Sequence, residues 1–231
     1  NNFSLVYKIF NFRRIFRVLK WVSIGMFCGC IFAVTLYVFT NPKTTGYMKS
    51  EEKRLGEIKY NWIDIVDMRP VFLRSVVAAE DANFCLHWGL DLEAIRQAIE
   101  SGADRGASTI TQQVVKNIYL WPERSWIRKA LEAAISPFVE LLWSKGRIIE
   151  VYLNIAEFDE GVFGIKAAAK HYFGVLPAQL STVQSASLAA VLPNPKERSA
   201  IHPSKNLIKR AASIQDGAET IRLDGRDDCF E

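Results

Sequence analysis

Residues 79–91 read Ala-Glu-Asp-Ala-Asn-Phe-Cys-Leu-His-Trp-Gly-Leu-Asp and directly follow the apolar run Val76-Val77-Ala78. The stretch places two adjacent carboxylates, Glu80 and Asp81, at the edge of a segment that should be a buried helix. A carboxylate there loses hydration, so its pKa rises toward the range in which it exchanges protons at neutral pH. Glu80 is therefore the first candidate catalytic group. The alternative is an acidic pair that caps the helix or pairs with Arg74.

Helical patterns dominate the chain from Val71 to about Pro193. Gly, Pro, Ser or Asp stands at most junctions between apolar-periodic segments, and few segments alternate with the period of a strand. The sequence predicts a mainly α fold with helices near 71–81, 91–101, 109–120, 125–145, 146–156, 163–172 and 179–191. The polar segment 101–106, which is bounded by glycine, is predicted to be a mobile loop.

Composition divides the 231 residues into five regions. Residues 1–20 form a basic flank, 21–42 an apolar span, 43–70 a mixed-charge linker, 71–195 the folded domain, and 196–231 a polar C-terminal segment. The linker is broken by glycine and proline, and we expect the C-terminal segment to be loosely ordered because its apolar density falls. The chain has room for one domain of ordinary size besides the apolar span.

No charged residue lies between Trp21 and Pro42, and this span is long enough to cross a bilayer core of about 30 Å as a helix. Five Lys or Arg residues precede it, and the first acidic residue is Glu51. The sequence therefore predicts a single-pass anchor with its basic flank in the cytoplasm and the folded domain on the other side. A cleaved signal peptide is the alternative, but its apolar core is usually shorter and ends at a small-residue cleavage site.

The cysteines and the net charge argue against several classes of site. Cys28 and Cys30 lie in the apolar span, which leaves Cys85 and Cys229 elsewhere in the chain. With no CxxC motif and three histidines, the sequence indicates neither a zinc site nor a disulfide framework. We expect Cys85 and Cys229 to stay unpaired. A net charge of +4, much of it in the basic flank, gives little reason to expect a nucleic-acid partner.

The segment Gly106–Asn117 divides clearly on a helical wheel. One face is apolar, and the opposite face carries Gln112, Gln113, Lys116 and Asn117 because positions three and four apart are neighbours. That face offers amides and one cation to a ligand. The alternative is a solvated helix surface on which Thr109 and Gln112 form a capping box.

Cations accumulate in the next segment. Lys116, Arg124, Arg128 and Lys129 lie within a short span, which suits a pyrophosphate or another anionic group. Arg128 precedes Glu132 by four residues, so the two can pair on one helix face. The alternative is an exposed ion pair that contributes only a few tenths of a kcal/mol.

Five elements occur here in the order and spacing of the bacterial peptidoglycan glycosyltransferases. They are EDANFCLHWGLD (80–91), GASTITQQVVKN (106–117), RSWIRKALE (124–132), KGRIIEVYLN (145–154) and GVFGIKAAAKHYFG (161–174). Residues 71–195 resemble the monofunctional, membrane-anchored type of glycosyltransferase family 51. The chain departs from the family at Cys85-Leu86, where bulkier aromatic or charged residues are common. The resemblance implies a lysozyme-like, bilobal fold and polymerisation of lipid II into glycan strands.

The resemblance also implies roles for the matching residues. Glu80 would be the general base that deprotonates the 4-hydroxyl of the acceptor sugar, and Glu132 would be a second carboxylate that orients the acceptor or holds the pyrophosphate region. The phosphate-binding residues would be Lys116, Arg124 and Arg128. The residues that bind or shape the substrate cleft would be Asp81, Ser108, Thr109, Gln112 and Gln113. A structural role is expected for Glu150, Tyr152 and Asn154.

One base with several cations fits transfer from a pyrophosphate, which leaves easily once its charge is met, better than hydrolysis of a glycosidic bond. The resemblance implies inversion, from an α-linked donor to a β-1,4 product. No cofactor is required, although magnesium or manganese near the pyrophosphate occurs in some members of the family. The implied partners are lipid II, the growing strand, the membrane and other cell-wall synthesis proteins, and the implied location is the periplasmic side of the bacterial inner membrane.

Three alternatives have distinct signatures. A lytic enzyme of lysozyme type would cleave finished glycan without a lipid-linked donor. A transpeptidase is suggested by Ser50-Glu51-Glu52-Lys53 and Ser204-Lys205-Asn206, but both patterns are short and no KTG motif occurs. A scaffold that binds lipid II without catalysis would need neither Glu80 nor Glu132.

Overall fold

The computed structural model describes residues 2–100 and 108–231, with side chains from residue 14 onward. The loop predicted at 101–106 lies outside the described residues. The chain separates into two compact units, one ending at Thr40 and one running from Asn41 to Glu231.

The first unit is helix α1, Asn2–Phe39. Its segment Arg14–Phe39, 26 residues with a mean hydropathy of 2.2, is long and apolar enough to cross a membrane. The basic flank continues this helix toward the N-terminus instead of forming a separate element, because it contains neither glycine nor proline.

The second unit is mainly helical, which confirms the predicted fold class. The seven predicted helices are present and begin and end within three residues of their expected positions, as α3 (Pro70–Glu80), α4 (Leu92–Glu100), α5 (Ile110–Tyr119), α6 (Trp126–Leu142), α7 (Lys145–Ile155), α8 (Ile165–Phe173) and α9 (Thr182–Val191). Side-chain caps explain several boundaries. Ser125, Ser144 and Ser181 each accept a hydrogen bond from the backbone N–H three residues later.

The described helices of this unit pack as two groups. Helix α5 packs against α6 and α7, whereas α3, α9 and a further helix, α10 (Lys205–Leu223), pack against one another. Glu80 ends α3 and contacts both groups, because its carboxylate lies beside Gln113 of α5 and Arg210 of α10. The candidate base therefore lies where the two helical groups meet.

The prediction of a linker at 43–70 is wrong. Helix α2 (Gly46–Leu55) and strand β1 (Lys59–Tyr60) belong to the second unit. Strand β1 pairs in parallel with β3 (Val162–Phe163), which pairs in antiparallel with β2 (Glu157–Asp159). Buried Met48 and Ile63 anchor the segment. Most of the charged residues that suggested a linker face solvent around these apolar positions, whereas Glu51 is buried and paired with Lys196.

The prediction of a loosely ordered C-terminal segment is also wrong, because α10 is a packed helix of 19 residues. Its buried positions follow helical spacing, namely Leu207, Ala211, Ile214, Ala218 and Ile221. Two of the five are alanines, so the stripe adds little to the average hydropathy. Small residues also permit close packing, since a Cβ at Gly217 would lie 3.1 Å from the Cβ of Ala78 on α3.

Cys85 and Cys229 form a disulfide across a sequence separation of 144, contrary to the expectation that they stay unpaired. The order of the C-terminal segment explains the difference. Once α10 packs on α3, the residues after it return to the turn at Phe84–Leu86, and the two Cα atoms come within 5.8 Å. That distance lies in the ordinary range for a disulfide.

Gly89 fixes the end of the loop that follows Glu80. Its φ is +85°, a region that disfavours residues with a Cβ, and an added Cβ would lie 2.9 Å from the Cβ of Ser136. We expect Gly89→Ala to lower the free energy of unfolding by about 2 kcal/mol, measured by urea denaturation. Gly46→Ala, with no atom within 4 Å of the added Cβ, is the matched control. Equal midpoints for the two variants would contradict the expectation.

Candidate active site

Glu80 is a largely buried carboxylate at the C-terminal end of α3, with its side chain 12% exposed. Burial raises its pKa, and this effect is opposed by a hydrogen bond that Gln113 Nε2 donates to Glu80 Oε2 at 3.1 Å. The raised pKa makes Glu80 a better proton acceptor than an exposed glutamate, while Gln113 keeps one oxygen oriented. The sequence-based expectation for the pKa of Glu80 agrees with this arrangement.

Charged neighbours from other elements also act on Glu80. Arg210 Nη2 lies 3.9 Å from Glu80 Oε1 and donates to the carbonyl of Ala79 at 3.2 Å. Arg210 and Arg198 lower the pKa of Glu80, and Asp81 raises it. The pKa of Glu80 is therefore raised by burial and lowered by two cations that favour the ionised form.

Asp81 positions the site through internal contacts. Its Oδ2 accepts a hydrogen bond from the backbone N–H of Ile110 at 2.9 Å, and its Oδ1 lies 2.8 Å from His87 Nε2. Gly89 N donates to His87 Nδ1 at 3.2 Å, so Nε2 carries the hydrogen that faces Asp81. Oδ2 thus ties the loop 81–91 to the start of α5, and Oδ1 links two parts of the loop to each other. These contacts favour a positioning role for Asp81 over direct contact with substrate.

The capping-box alternative holds for Thr109 and Gln112. Thr109 Oγ1 accepts from Gln112 N and donates to the carbonyl of Gly89 at 2.7 Å, and Gln112 Oε1 accepts from Thr109 N at 3.1 Å. Both side chains are buried. They fix the start of α5, which carries Gln113 and Lys116 into the cleft. Gln113 also receives a hydrogen bond from Tyr152 at 3.3 Å, so α7 orients the amide that contacts Glu80.

Lys116 is a partly buried cation on which the charge of Glu80 acts. Burial lowers its pKa, as do the charges of Arg128 and Lys129, whereas Glu132 and Glu80 both raise it. The charges of both predicted carboxylates, Glu80 and Glu132, therefore act on Lys116. Its ammonium has no hydrogen bond or ion pair with any described residue. It faces a cavity of about 400 Å³ whose polar lining includes Gln113, Asn117, Tyr152, Glu157 and Lys196.

Glu132 forms ion pairs with two of the other cations, Arg128 and Lys129. It is buried, with Oε1 3.2 Å from Arg128 Nε and Oε2 3.0 Å from Lys129 Nζ. Arg128 Nη1 also donates to the carbonyls of Trp121 and Pro122 at 3.2 and 2.9 Å, so this buried guanidinium holds the turn between α5 and α6. Lys129 is more exposed and donates to Ser108 Oγ at 2.6 Å. Arg124 is exposed within the same turn.

The fourth sequence element contacts the segment before α3. Asn154 Oδ1 accepts from Ile63 N at 2.9 Å, its Nδ2 donates to the Ile63 carbonyl at 2.8 Å, and Glu150 Oε1 accepts from Ile65 N at 3.1 Å. These bonds are in keeping with the structural role expected of Glu150 and Asn154. Tyr152 differs, because its hydroxyl reaches Gln113 in the site.

Sequence reasoning missed three side chains that shape the site. Arg210 was not a candidate, because the C-terminal segment was expected to be loosely ordered. Lys129 was counted among the cations but received no role, although it bridges Ser108 and Glu132. Lys145 donates to the carbonyl of His87 at 2.8 Å and to Glu140 at 2.9 Å, and so supports the loop 81–91 from α7. Its position in the fourth element was the available signal.

Replacing Arg210 with glutamine is expected to shift the acidic limb of activity to higher pH. Arg210 lowers the pKa of Glu80, so its removal lets burial and Asp81 raise that pKa further, against Arg198 and Gln113. Activity should fall most at acidic pH and recover as pH rises. The measurement is kcat/KM against pH, with Lys209→Gln, an exposed neighbour on α10, as control. Superimposable profiles for Arg210→Gln and the unmodified protein would contradict this.

One desolvated carboxylate beside a group of cations is an arrangement that activates a hydroxyl and accepts a departing phosphate. The site and the helical fold together are those of an enzyme of the group-transfer class.

Comparison with known proteins identifies the family. The transglycosylase family model matches residues 49–219. A biosynthetic peptidoglycan transglycosylase of Jannaschia sp. (strain CCS1) is 56% identical over 214 residues, 91% of this chain and 90% of the relative. Proteins of the same description from Caulobacter vibrioides (40% over 221 residues, 92% and 96%) and Pseudomonas fluorescens strain SBW25 (42% over 224 residues, 93% and 92%) are also similar. The chain belongs to the transglycosylase family and is a glycosyltransferase of peptidoglycan synthesis.

Proposed function

We propose that this enzyme polymerises lipid II into β-1,4 glycan strands by inverting transfer, without transpeptidase activity. The carrying observation is the environment of Glu80, a buried carboxylate of raised pKa that also acts electrostatically on the cation Lys116. A base and a phosphate-binding cation that interact electrostatically can serve the two ends of the same displacement.

In this proposal Glu80 takes the proton of the acceptor 4-hydroxyl. The hydroxyl oxygen then attacks the anomeric carbon of the donor sugar, and the bond from that carbon to the pyrophosphate oxygen breaks. Attack from the face opposite the leaving group converts the α-linked donor into a β-linked product. Gln113, held by Tyr152, keeps the carboxylate oriented toward the acceptor.

Cations stabilise the leaving pyrophosphate as negative charge develops on it. Lys116 is the best placed, since its ammonium has no anionic partner among the described residues and faces the cavity. Arg124 and Lys129 are accessible enough to contribute. Glu132 holds Lys129 and Arg128 in place, and Arg128 acts mainly by fixing the turn at Trp121–Pro122. Glu132 is thus proposed as an organiser of the phosphate site.

The described side chains do not form a dedicated metal cage. No group of three His, Cys, Asp or Glu side chains with suitable geometry occurs among them, and both oxygens of Glu132 already face cations. We propose that the enzyme needs no resident metal, and that magnesium or manganese, where it contributes, binds through substrate oxygens. Assays with a chelator and with each added cation test this proposal.

The apolar helix α1 supports a membrane anchor, because both substrates carry lipid chains and tethering raises their effective concentration at the enzyme. The Cys85–Cys229 disulfide favours an oxidising compartment for the second unit. Together with the basic flank, these features support a catalytic unit on the periplasmic side of the bacterial inner membrane. Accessibility of cysteines introduced at either end of α1 to a membrane-impermeant reagent tests the orientation.

The transpeptidase alternative gains no support from its two short motifs. Ser50 and Lys53 are both exposed on α2, and Ser204 accepts a hydrogen bond from Leu207 N as the N-cap of α10. An ordinary capping role accounts for Ser204.

The test of the proposed function is incubation of the detergent-solubilised protein with labelled lipid II, followed by gel separation of the products. Polymer that lysozyme digests, without cross-linked peptides, is the expected result. Degradation of finished glycan in the absence of lipid II would instead favour the lytic alternative. Binding of lipid II without any polymer would favour a scaffold.

A further inference from the structure

We propose that the Cys85–Cys229 disulfide positions the catalytic loop 81–91 and helix α10 around Glu80, so that the oxidised protein is the fully active form. This inference rests on the polymerase activity proposed above. It assigns a positioning role to two cysteines that the reaction itself does not use.

Cys85 follows Glu80 closely in the chain. Cys85 belongs to the turn Phe84–Leu86, and this turn separates Asp81, which binds the start of α5, from its partner His87. Movement of the turn would therefore alter the Asp81–His87 contact on one side. It would also shift Asp81, the residue bonded directly to Glu80.

The chain end that carries Cys229 covers this turn. Arg226 Nη1 donates to the carbonyl of Ala82 at 3.0 Å, and the rings of Phe230 and Phe84 lie 6.1 Å apart. Arg74 of α3 pairs with Asp227 at 3.1 Å and with Glu231 at 2.7 Å. The last residues thus contact both the turn and the helix that ends at Glu80.

The same chain end continues α10, which reaches Glu80 from another direction through Arg210. One covalent bond therefore closes a ring that includes the turn after Glu80 and the helix that supplies its cation. The remaining contacts of this chain end include the buried ring of Phe230 against Phe84 and the largely buried ion pair of Arg74 with Asp227. The disulfide adds a covalent restraint to this packed segment and closes the ring.

Reduction breaks the sulfur–sulfur bond and returns one hydrogen to each cysteine. Dithiothreitol supplies the two electrons and two protons and becomes a cyclic disulfide, so the step is balanced. The described residues hold two other cysteines, Cys28 and Cys30, which are free thiols in α1. Replacing both with serine in the full chain leaves Cys85–Cys229 as the sole redox-active pair.

The experiment compares oxidised and anaerobically reduced Cys28→Ser/Cys30→Ser protein. Polymerisation of lipid II gives kcat and KM, and amide hydrogen exchange reports protection of residues 81–91. Reduction should lower kcat roughly tenfold to a hundredfold, the scale of a small misplacement of reacting groups, with KM changed by less than about twofold. Protection of the loop should fall while far-ultraviolet circular dichroism stays the same. Cys85→Ser/Cys229→Ser protein should match the reduced form.

Equal kcat in both redox states would overturn the inference, as would unchanged exchange in the loop. Loss of the whole fold on reduction would also overturn it, because the bond would then stabilise the fold generally. Failure of the proposed function looks different, since the oxidised protein would then form no polymer at all. In that case the exchange measurement still decides whether the disulfide orders the loop.

Discussion

Glu80→Gln is expected to reduce polymerisation by roughly 10²- to 10⁴-fold, the usual contribution of a general base. The amide keeps the size of the side chain and can accept the hydrogen bond from Gln113, but it cannot take the acceptor proton. The measurement is kcat/KM with labelled lipid II. Glu219→Gln removes a carboxylate that is 56% exposed on α10 and should leave the rate unchanged. Substantial turnover by Glu80→Gln would remove Glu80 as the base.

The same substitution should stabilise the protein at neutral pH. Burial raises the pKa of Glu80 in the folded state above its unfolded value, so the folded state binds more protons between the two values. The free energy of unfolding therefore falls as the pH rises from the unfolded pKa to the folded pKa of Glu80. Above the folded pKa, the free energy of unfolding stays at this lower value. Glu80→Gln should remove this deficit at neutral pH and show no gain at acidic pH. Urea denaturation at both pH values measures the difference.

Lys116→Met is expected to lower kcat/KM by roughly 10²- to 10³-fold, the effect of removing one donor to a developing anion. Methionine retains an unbranched apolar stem but carries no charge to meet the pyrophosphate. Lipid II binding should weaken as well, measured by equilibrium binding in detergent. Lys166→Met, at an exposed position of α8, is the matched control. Unchanged affinity and rate in Lys116→Met would exclude the phosphate role.

The pH dependence of the unmodified enzyme supplies a further check on Lys116. Burial and Arg128 lower the pKa of its ammonium, so the charge is lost at a lower pH than for an exposed lysine. Activity should therefore decline on the alkaline side as Lys116 deprotonates. Lys116→Met should lack that decline and retain only the acidic limb, which reports Glu80.

The sequence predicted the elements whose signals are local. Apolar periodicity and serine caps gave the helices from α3 to α9, and the run before Glu80 gave the burial of its carboxylate. The order of the five sequence elements indicated the family. The sequence could not distinguish the roles of Asp81, Thr109 and Gln112 from substrate binding, because their partners Ile110, Gly89 and Thr109 are backbone groups whose positions depend on the fold.

The wrong predictions share a physical cause, since each depends on packing between distant segments. The stripe on α10 uses alanines, which bury little area but allow α10 to approach α3 closely. The disulfide follows from that approach, as does the contact between Arg210 and Glu80. None of these pairings leaves a pattern within a short window of sequence.

The packing of α2 sets a practical boundary for protein engineering. Tyr47 donates to Glu157 at 2.6 Å, and Lys196 lies 2.8 Å from Glu51, so α2 closes one wall of the cavity that Lys116 faces. A membrane-free fragment that begins at Val71, the start of the folded domain expected from the sequence, would remove this wall. Starting at Asn41 retains Thr45, the N-cap of α2, and every contact of the second unit. Crystallisation and inhibitor screening therefore call for the longer fragment.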